Sequence, residues 1–101
     1  MNEPSATRLI LEQLLAQRGI GSFALFLTQQ EGTMLPGDIE ALSGFVLDDR
    51  ERVFRFWLDW STTDQRYTLN PFTRVYAPST KFARDPDYQA ARESLHLAPT
   101  T

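Results

Sequence analysis

Apolar and polar residues alternate along residues 52–60, which read Arg-Val-Phe-Arg-Phe-Trp-Leu-Asp-Trp. This alternation predicts a central β-strand, because successive side chains of a strand point to opposite faces. The even-numbered positions are all apolar and are expected to face the core: Phe54, Phe56, Leu58 and Trp60. The odd-numbered positions mix apolar and charged side chains on the second face: Val53, Arg55, Trp57 and Asp59.

A helical pattern precedes this strand. Residues 3–18 are predicted to form an amphipathic helix, with Asn2 or Ser5 as its N-cap. Gly19 is expected to end the helix in the left-handed conformation, so that Ile20 folds back on the last turn. The apolar stripe of the helix consists of Ile10, Leu11, Leu14 and Leu15.

A second helix is predicted near the C-terminus. Asp85 is suited to the N-cap of a helix over residues 86–97, because Pro86 follows it at the first helical position. Arg92 is expected to pair with Tyr88 or Asp87 rather than with a ligand. The apolar stripe consists of Tyr88, Ala91 and Leu95. Residues 98–101 are expected to fray.

The other strands follow from short apolar runs bounded by turn residues. Strands are predicted over residues 22–28, 38–47, 52–60 and 66–70, the last resuming at 73–76. The first is expected to be buried on both faces. Pro71 cannot donate a ladder hydrogen bond, so the last strand should lie at an edge of the sheet. Residues 29–37 and 77–83 are predicted to be loops.

The register of the central hairpin depends on the length of its loop. A loop of two or four residues within residues 48–51 keeps the apolar positions on one face, whereas an odd loop moves them to the solvent unless a bulge compensates. The even loop is therefore predicted, with Gly44 opposite Arg55 as a potential bulge. It pairs Phe45 with Phe54, Ser43 with Phe56, Ala41 with Leu58 and Ile39 with Trp60. In the next hairpin, Trp60 pairs with Tyr67 and Leu58 with Leu69.

These elements predict one domain over residues 1–101 with a two-layer α+β fold. It comprises an N-terminal helix, a mainly antiparallel meander of about four strands and a short C-terminal helix. The hydrophobic share of 42% is that of a globular chain, which excludes complete disorder. No apolar run approaches the roughly 20 residues that span a bilayer. The first residues do not resemble a secretory signal, so the cytoplasm is the expected location.

Composition restricts the chemistry that this chain can perform. It has no cysteine and a single histidine, His96, so neither a thiolate nor a histidine-rich metal site is expected, and no cofactor is predicted. The charged residues 48–52 lack the spacing of a calcium loop and are interpreted as a solvated hairpin tip. A net charge of −3 and a pI near 5.0 argue against nucleic acid as the partner.

The second face of the sheet is the predicted functional surface. Mixed aromatic and charged residues of this kind are typical of an interface with an apolar centre and a polar rim. The predicted binding residues are Arg55, Trp57, Asp59, Phe72, Arg74 and Tyr76. The function favoured by this pattern is non-catalytic protein interaction or self-association as a homodimer, with Trp57 as the anchor. The competing interpretation is that a helix covers this face.

Two further functions remain open at the level of sequence. A small-molecule binding protein or enzyme would have its pocket between this face and a helix, with Arg55 and Arg74 as anion contacts and Asp59 with Glu40 as an acid/base pair. Stacking of single-stranded nucleic acid on Trp57, Phe72 and Tyr76 is disfavoured by the nearby carboxylates. Nothing beyond adjacency in the predicted register supports catalysis.

Overall fold

A computed structural model describes residues 6–97 of the chain. Its elements are α1 Ala6–Gln17, β1 Phe23–Leu35, β2 Ile39–Asp48, β3 Val53–Ser61, β4 Arg66–Val75, α2 Pro78–Lys81 and α3 Pro86–Ser94. The four strands form one antiparallel sheet in the order β1-β2-β3-β4. The predicted α+β fold is confirmed. The predicted N-cap of α1 and the fraying of residues 98–101 lie outside the described residues.

Local hydrogen bonds define the C-terminus of α1 and the N-terminus of α3. The amide of Gly19 donates to the carbonyl of Ala16 at 3.0 Å, and the amide of Ile20 donates to the carbonyl of Leu15 at 2.9 Å. With Gly19 at φ +80°, this is the Schellman arrangement, and it confirms the predicted end of α1. At α3, the Asp85 carboxylate accepts from the amides of Asp87 and Tyr88, as its predicted N-cap role requires.

The β3–β4 hairpin has the predicted register. Trp60 lies opposite Tyr67, and Leu58 lies opposite Leu69. β4 continues through Pro71 as an edge strand, and the register shifts beside this residue, between Phe56 and Leu58 of β3.

The predicted β2–β3 register is wrong by one residue. Phe45 lies opposite Arg55 and Val46 lies opposite Phe54, so the loop has an odd length. The other predicted pairs shift likewise, and the observed pairs include Leu42 with Leu58, Ser43 with Trp57 and Gly44 with Phe56. The apolar residues of β2 are nevertheless covered, because α1 packs on one face of the sheet and α3 packs on the other.

Two predicted loops contain regular structure. β1 extends to Leu35 through the segment predicted as a loop, since irregularities in its pairing accommodate the local sequence. Residues 78–81 form the short helix α2 inside the predicted crossing loop. Conversely, α3 ends at Ser94, short of the predicted residue 97.

The core consists of two clusters on opposite faces of the sheet. The first lies under α1, where Leu11 and Leu15 contact the even-numbered face of β3, as predicted. The second lies under α2 and α3, where Tyr88 is packed with residues of the other face, including Leu47 and Val53. β1 contributes to both clusters, Leu25 to the first and Phe26 to the second, which agrees with its predicted double-sided packing. The C-terminal helices therefore cover one part of the second face and leave the rest open.

Candidate functional site

A shallow concavity of about 840 Å³ occupies the uncovered part of the second face. We call it the open groove and define it by Leu27, Ser43, Arg55, Trp57, Arg74 and Tyr76. It crosses the four strands, and Lys81 of α2 lies at its margin. The interpretation that a helix covers this face is thus correct for one part of it, and the other part is exposed.

The open groove concentrates exposed apolar side chains. Leu27 is 39% exposed, Trp57 is 42% exposed and Tyr76 is 77% exposed. Only two other large apolar side chains are comparably exposed within residues 6–97, Leu9 and Met34, and neither lines this surface. Single exposed apolar residues are ordinary, but three in one concavity mark a surface suited to binding.

The charge of the open groove is opposite in sign to that of the chain. Arg55 and Lys81 line it, against one carboxylate, that of Glu31. The Ser43 hydroxyl donates a hydrogen bond to this carboxylate. Arg74 borders the groove too, but Arg74 pairs with Phe54, so its Cβ points toward the α1 face. Within the described part of the chain, none of the three cations forms an ion pair. The guanidinium carbon of Arg74 lies 5.4 Å from the ring centroid of Tyr76, a cation–π distance. The groove is a local positive patch with an aromatic component.

A bulge in β1 shapes one side of the groove. The β1–β2 register shifts between Phe26 and Gln29, and Leu27 has φ +49°. The bulged segment lies directly on Gly44: a Cβ atom there would be 2.8 Å from the Cα of Thr28 and 3.0 Å from the Leu27 carbonyl oxygen. The irregularity predicted at Gly44 of β2 therefore lies in β1. Residue 44 must be glycine, because a Cβ atom there would collide with the bulged segment.

Gly44→Ala is expected to lower the free energy of unfolding by about 1–3 kcal/mol, because the added methyl group must displace the backbone of β1. Urea denaturation of both proteins measures this difference. Gly21→Ala is the matched control, since no atom lies within 4 Å of a Cβ at that position. Equal losses of stability in the two variants would show that the close approach at Gly44 has no energetic importance.

The structure brings together four of the six predicted site residues: Arg55, Trp57, Arg74 and Tyr76. Phe72 instead lies on the α1 face, where its ring stacks on Phe54 at a centroid distance of 4.7 Å and faces the Arg18 guanidinium. Asp59 is exposed outside the groove, and its carboxylate accepts from the backbone amide of Trp60 at 2.8 Å. The predicted clustering is therefore wrong for these two residues.

Sequence reasoning missed Leu27, Ser43 and Lys81. Leu27 belongs to an apolar run that resembles buried strand, and only its left-handed conformation brings it to the surface. Lys81 lines the groove from α2, the short helix that follows β4. No local pattern signals either position.

The carboxylates considered for catalysis are not paired. Glu40 lies opposite Met34 of β1, and the corrected register removes it from the position facing Asp59. Among residues 6–97, no group of three or more potential metal-ligating side chains is close enough to hold an ion. In the charged hairpin tip, Asp48 and Glu51 form ion pairs with Arg52 and Arg92 respectively.

A buried arginine joins α3 to the β2–β3 turn. Arg92 donates to the Tyr88 hydroxyl at 3.2 Å, the predicted pairing, and also to the Glu51 carboxylate at 3.0 Å. Burial alone would lower the pKa of Arg92, but these hydrogen bonds and the Glu51 charge raise it above its ordinary value. Arg92 therefore stays charged and serves as a structural link.

The comparisons with known proteins give no relative. No family model matches the chain, and neither the curated proteins nor the solved structures contain a match. None of the helices in the described region is long and apolar enough to cross a membrane. The function must therefore be inferred from the surface itself.

Proposed function

We propose that this chain is a non-catalytic protein-interaction domain and that the open groove is its binding surface. The observation that carries the proposal is the coincidence of Leu27, Trp57 and Tyr76, all exposed, with arginines that form no ion pair within residues 6–97. Tryptophan, tyrosine and arginine are the residue types most enriched among energetically dominant interface positions. Trp57 is the proposed anchor.

The exposure of these side chains favours a macromolecular partner over a small molecule. A small-molecule site usually encloses most of its ligand. Here Tyr76 is 77% exposed and Trp57 is 42% exposed, so a small ligand would remain largely in water. A protein segment can cover the whole concavity and exclude solvent from it. The cytoplasm is the proposed location, because a chain without cysteine makes no use of an oxidising compartment.

Trp57→Ala is expected to weaken partner binding by at least about 30-fold, the effect of losing one dominant interface residue. Its free energy of unfolding should fall by about 1–2 kcal/mol, less than the roughly 3–5 kcal/mol typical of a fully buried aromatic residue, because 42% of Trp57 is exposed. Peptides selected from a displayed random library on the natural chain supply the ligands, and fluorescence anisotropy gives their affinities. Thermal melting by circular dichroism checks the fold.

Leu9→Ala is the matched control, since Leu9 is equally exposed on α1 but lies outside the groove. It should leave peptide affinity unchanged. Light scattering of the natural chain and of Trp57→Ala tests the case in which the partner is a second copy. Selection of no peptide that depends on Trp57, together with monomeric mass for both proteins, would overturn the proposal.

A further inference from the structure

Resting on the proposed function, we infer that the open groove binds an acidic peptide segment in an extended conformation. The inference concerns the chemistry of the partner. Three features carry it: the excess of cations in the groove, the exposed apolar side chains between them and the dimensions of the concavity.

The cations require carboxylates from the partner. Arg55 and Lys81 line the groove together with one carboxylate, Glu31, which already accepts from Ser43. Covering these cations with an apolar or basic surface would remove water from charges that have no ion-pair partner within residues 6–97, which is costly. The chain as a whole has a net charge of −3, so its average charge would not attract an acidic partner. The attraction must come from this local patch.

The apolar side chains require apolar residues between those carboxylates. Leu27 lies on β1 and Trp57 on β3, while Tyr76 follows the end of β4. Four adjacent strands span roughly 14 Å, and an extended chain advances about 3.3 Å per residue. The bound segment is therefore about five residues long, with glutamate or aspartate and large apolar residues both among the alternate positions that face the groove.

A second copy of this chain is a poorer occupant. A two-fold symmetric contact places the same surface on both sides, so the groove would meet another groove with the same excess of cations. Like charges facing each other oppose association. A head-to-tail contact avoids this repulsion but does not close into a dimer.

Nucleic acid is also a poorer occupant, although it carries negative charge. The Glu31 carboxylate lies within the groove, where it would repel the phosphate backbone. A peptide can place its carboxylates near Arg55 and Lys81 and a polar uncharged residue near Glu31. A nucleic-acid strand has a phosphate at every nucleotide and lacks this freedom.

The test uses three fluorescein-labelled peptides that share leucine and phenylalanine positions and carry glutamate, glutamine or lysine at the other positions that face the groove. Anisotropy titrations of the natural chain at low and physiological salt give their affinities. We expect the glutamate peptide to bind at least about tenfold more tightly than the glutamine peptide, and its affinity to fall with salt. Decathymidylate is the nucleic-acid competitor.

Charge reversal in the groove provides the decisive variant. Arg55→Glu with Lys81→Glu should weaken binding of the glutamate peptide by at least about tenfold and strengthen binding of the lysine peptide, a gain that an unfolded variant would not show. Arg50→Glu with Arg84→Glu is the matched control, because both residues are exposed and neither lines the groove. It makes the same change in net charge and should retain preference for the glutamate peptide.

The outcomes separate this inference from the proposed function. If glutamate and glutamine peptides bind equally and both depend on Trp57, the acidic partner is wrong and the interaction domain stands. If no peptide depends on Trp57 and both the natural chain and Trp57→Ala are monomers, the proposed function itself fails; a dimer that depends on Trp57 would instead overturn only the acidic partner. If decathymidylate binds more tightly than the glutamate peptide and displaces it, the partner is nucleic acid and the inference is overturned.

Discussion

Tyr88→Ala is expected to lower the free energy of unfolding by about 3–5 kcal/mol, the cost typical of truncating a large buried aromatic residue. Tyr88 is fully buried, and its ring contacts those of Phe26 and Phe82 at centroid distances of 5.3 and 5.6 Å. Truncation would leave a cavity between α3 and the sheet and would also remove the hydroxyl that accepts from Arg92. Urea denaturation followed by circular dichroism measures the change.

Two control variants separate packing from hydrogen bonding at this site. Tyr88→Phe keeps the ring and should cost only about 1 kcal/mol, the net value of a hydrogen bond. Tyr76→Ala removes an equally large but exposed ring and should change stability by less than about 0.5 kcal/mol. A loss of stability in Tyr76→Ala as large as that in Tyr88→Ala would contradict the described packing of the two tyrosines.

Asp48→Ala is expected to cost about 2–4 kcal/mol, because it removes one buried carboxylate that accepts several hydrogen bonds. Asp48 is 1% exposed, and its carboxylate accepts from the backbone amides of Arg50 and Arg52 at 3.0 and 2.8 Å. The Arg52 Nε donates to the same carboxylate at 2.6 Å. Without these bonds the β2–β3 turn keeps only its backbone hydrogen bonds, such as that from the Asp48 amide to the Arg52 carbonyl at 3.0 Å. Thermal and urea denaturation measure the effect.

Asp49→Ala is the matched control for this prediction. Asp49 is exposed in the same turn, so its truncation should change stability by less than about 0.5 kcal/mol. Asp48→Asn keeps an acceptor for the backbone amides but removes the charge that pairs with Arg52, and an intermediate loss is expected. Equal stability of the Asp48 and Asp49 variants would show that the buried carboxylate does not hold the turn.

The features that could be predicted from the sequence depend on residues close together in the chain. Gly19 ends α1 because the left-handed conformation is accessible to glycine, and Asp85 starts α3 because its carboxylate reaches amides two and three residues ahead. The alternation in β3 places Phe56 and Leu58 on the core face for the same local reason.

The β2–β3 loop has a conformation that its sequence does not signal. Glu51 adopts the left-handed conformation at φ +63°, a position where glycine is usual, and thereby closes a three-residue loop between Asp48 and Arg52. The Glu51 carboxylate also accepts from Arg92 of α3. A local turn pattern contains neither a glycine at this position nor this contact with the C-terminal helix.

The candidate site was predictable only in its central part. Arg55 and Trp57 follow from the alternation in β3, which places them on the face away from α1. The exclusion of Phe72 depends on the irregular pairing beside Pro71. Leu27 joins the site through the bulge over Gly44, and Lys81 through the position of α2. Tertiary structure, rather than periodicity, decides these positions.

Interruptions in both edge strands determine how this sheet can meet other chains. β1 has irregular pairing between Phe26 and Gln29 and again between Gln30 and Met34, while β4 contains Pro71, which has no amide hydrogen. A long regular edge is a template on which further strands add, and it is the starting point of fibrillar aggregation. Neither edge offers such a template. The sheet is therefore expected to resist growing, copy by copy, into a fibre, even though Trp57 and Tyr76 are exposed.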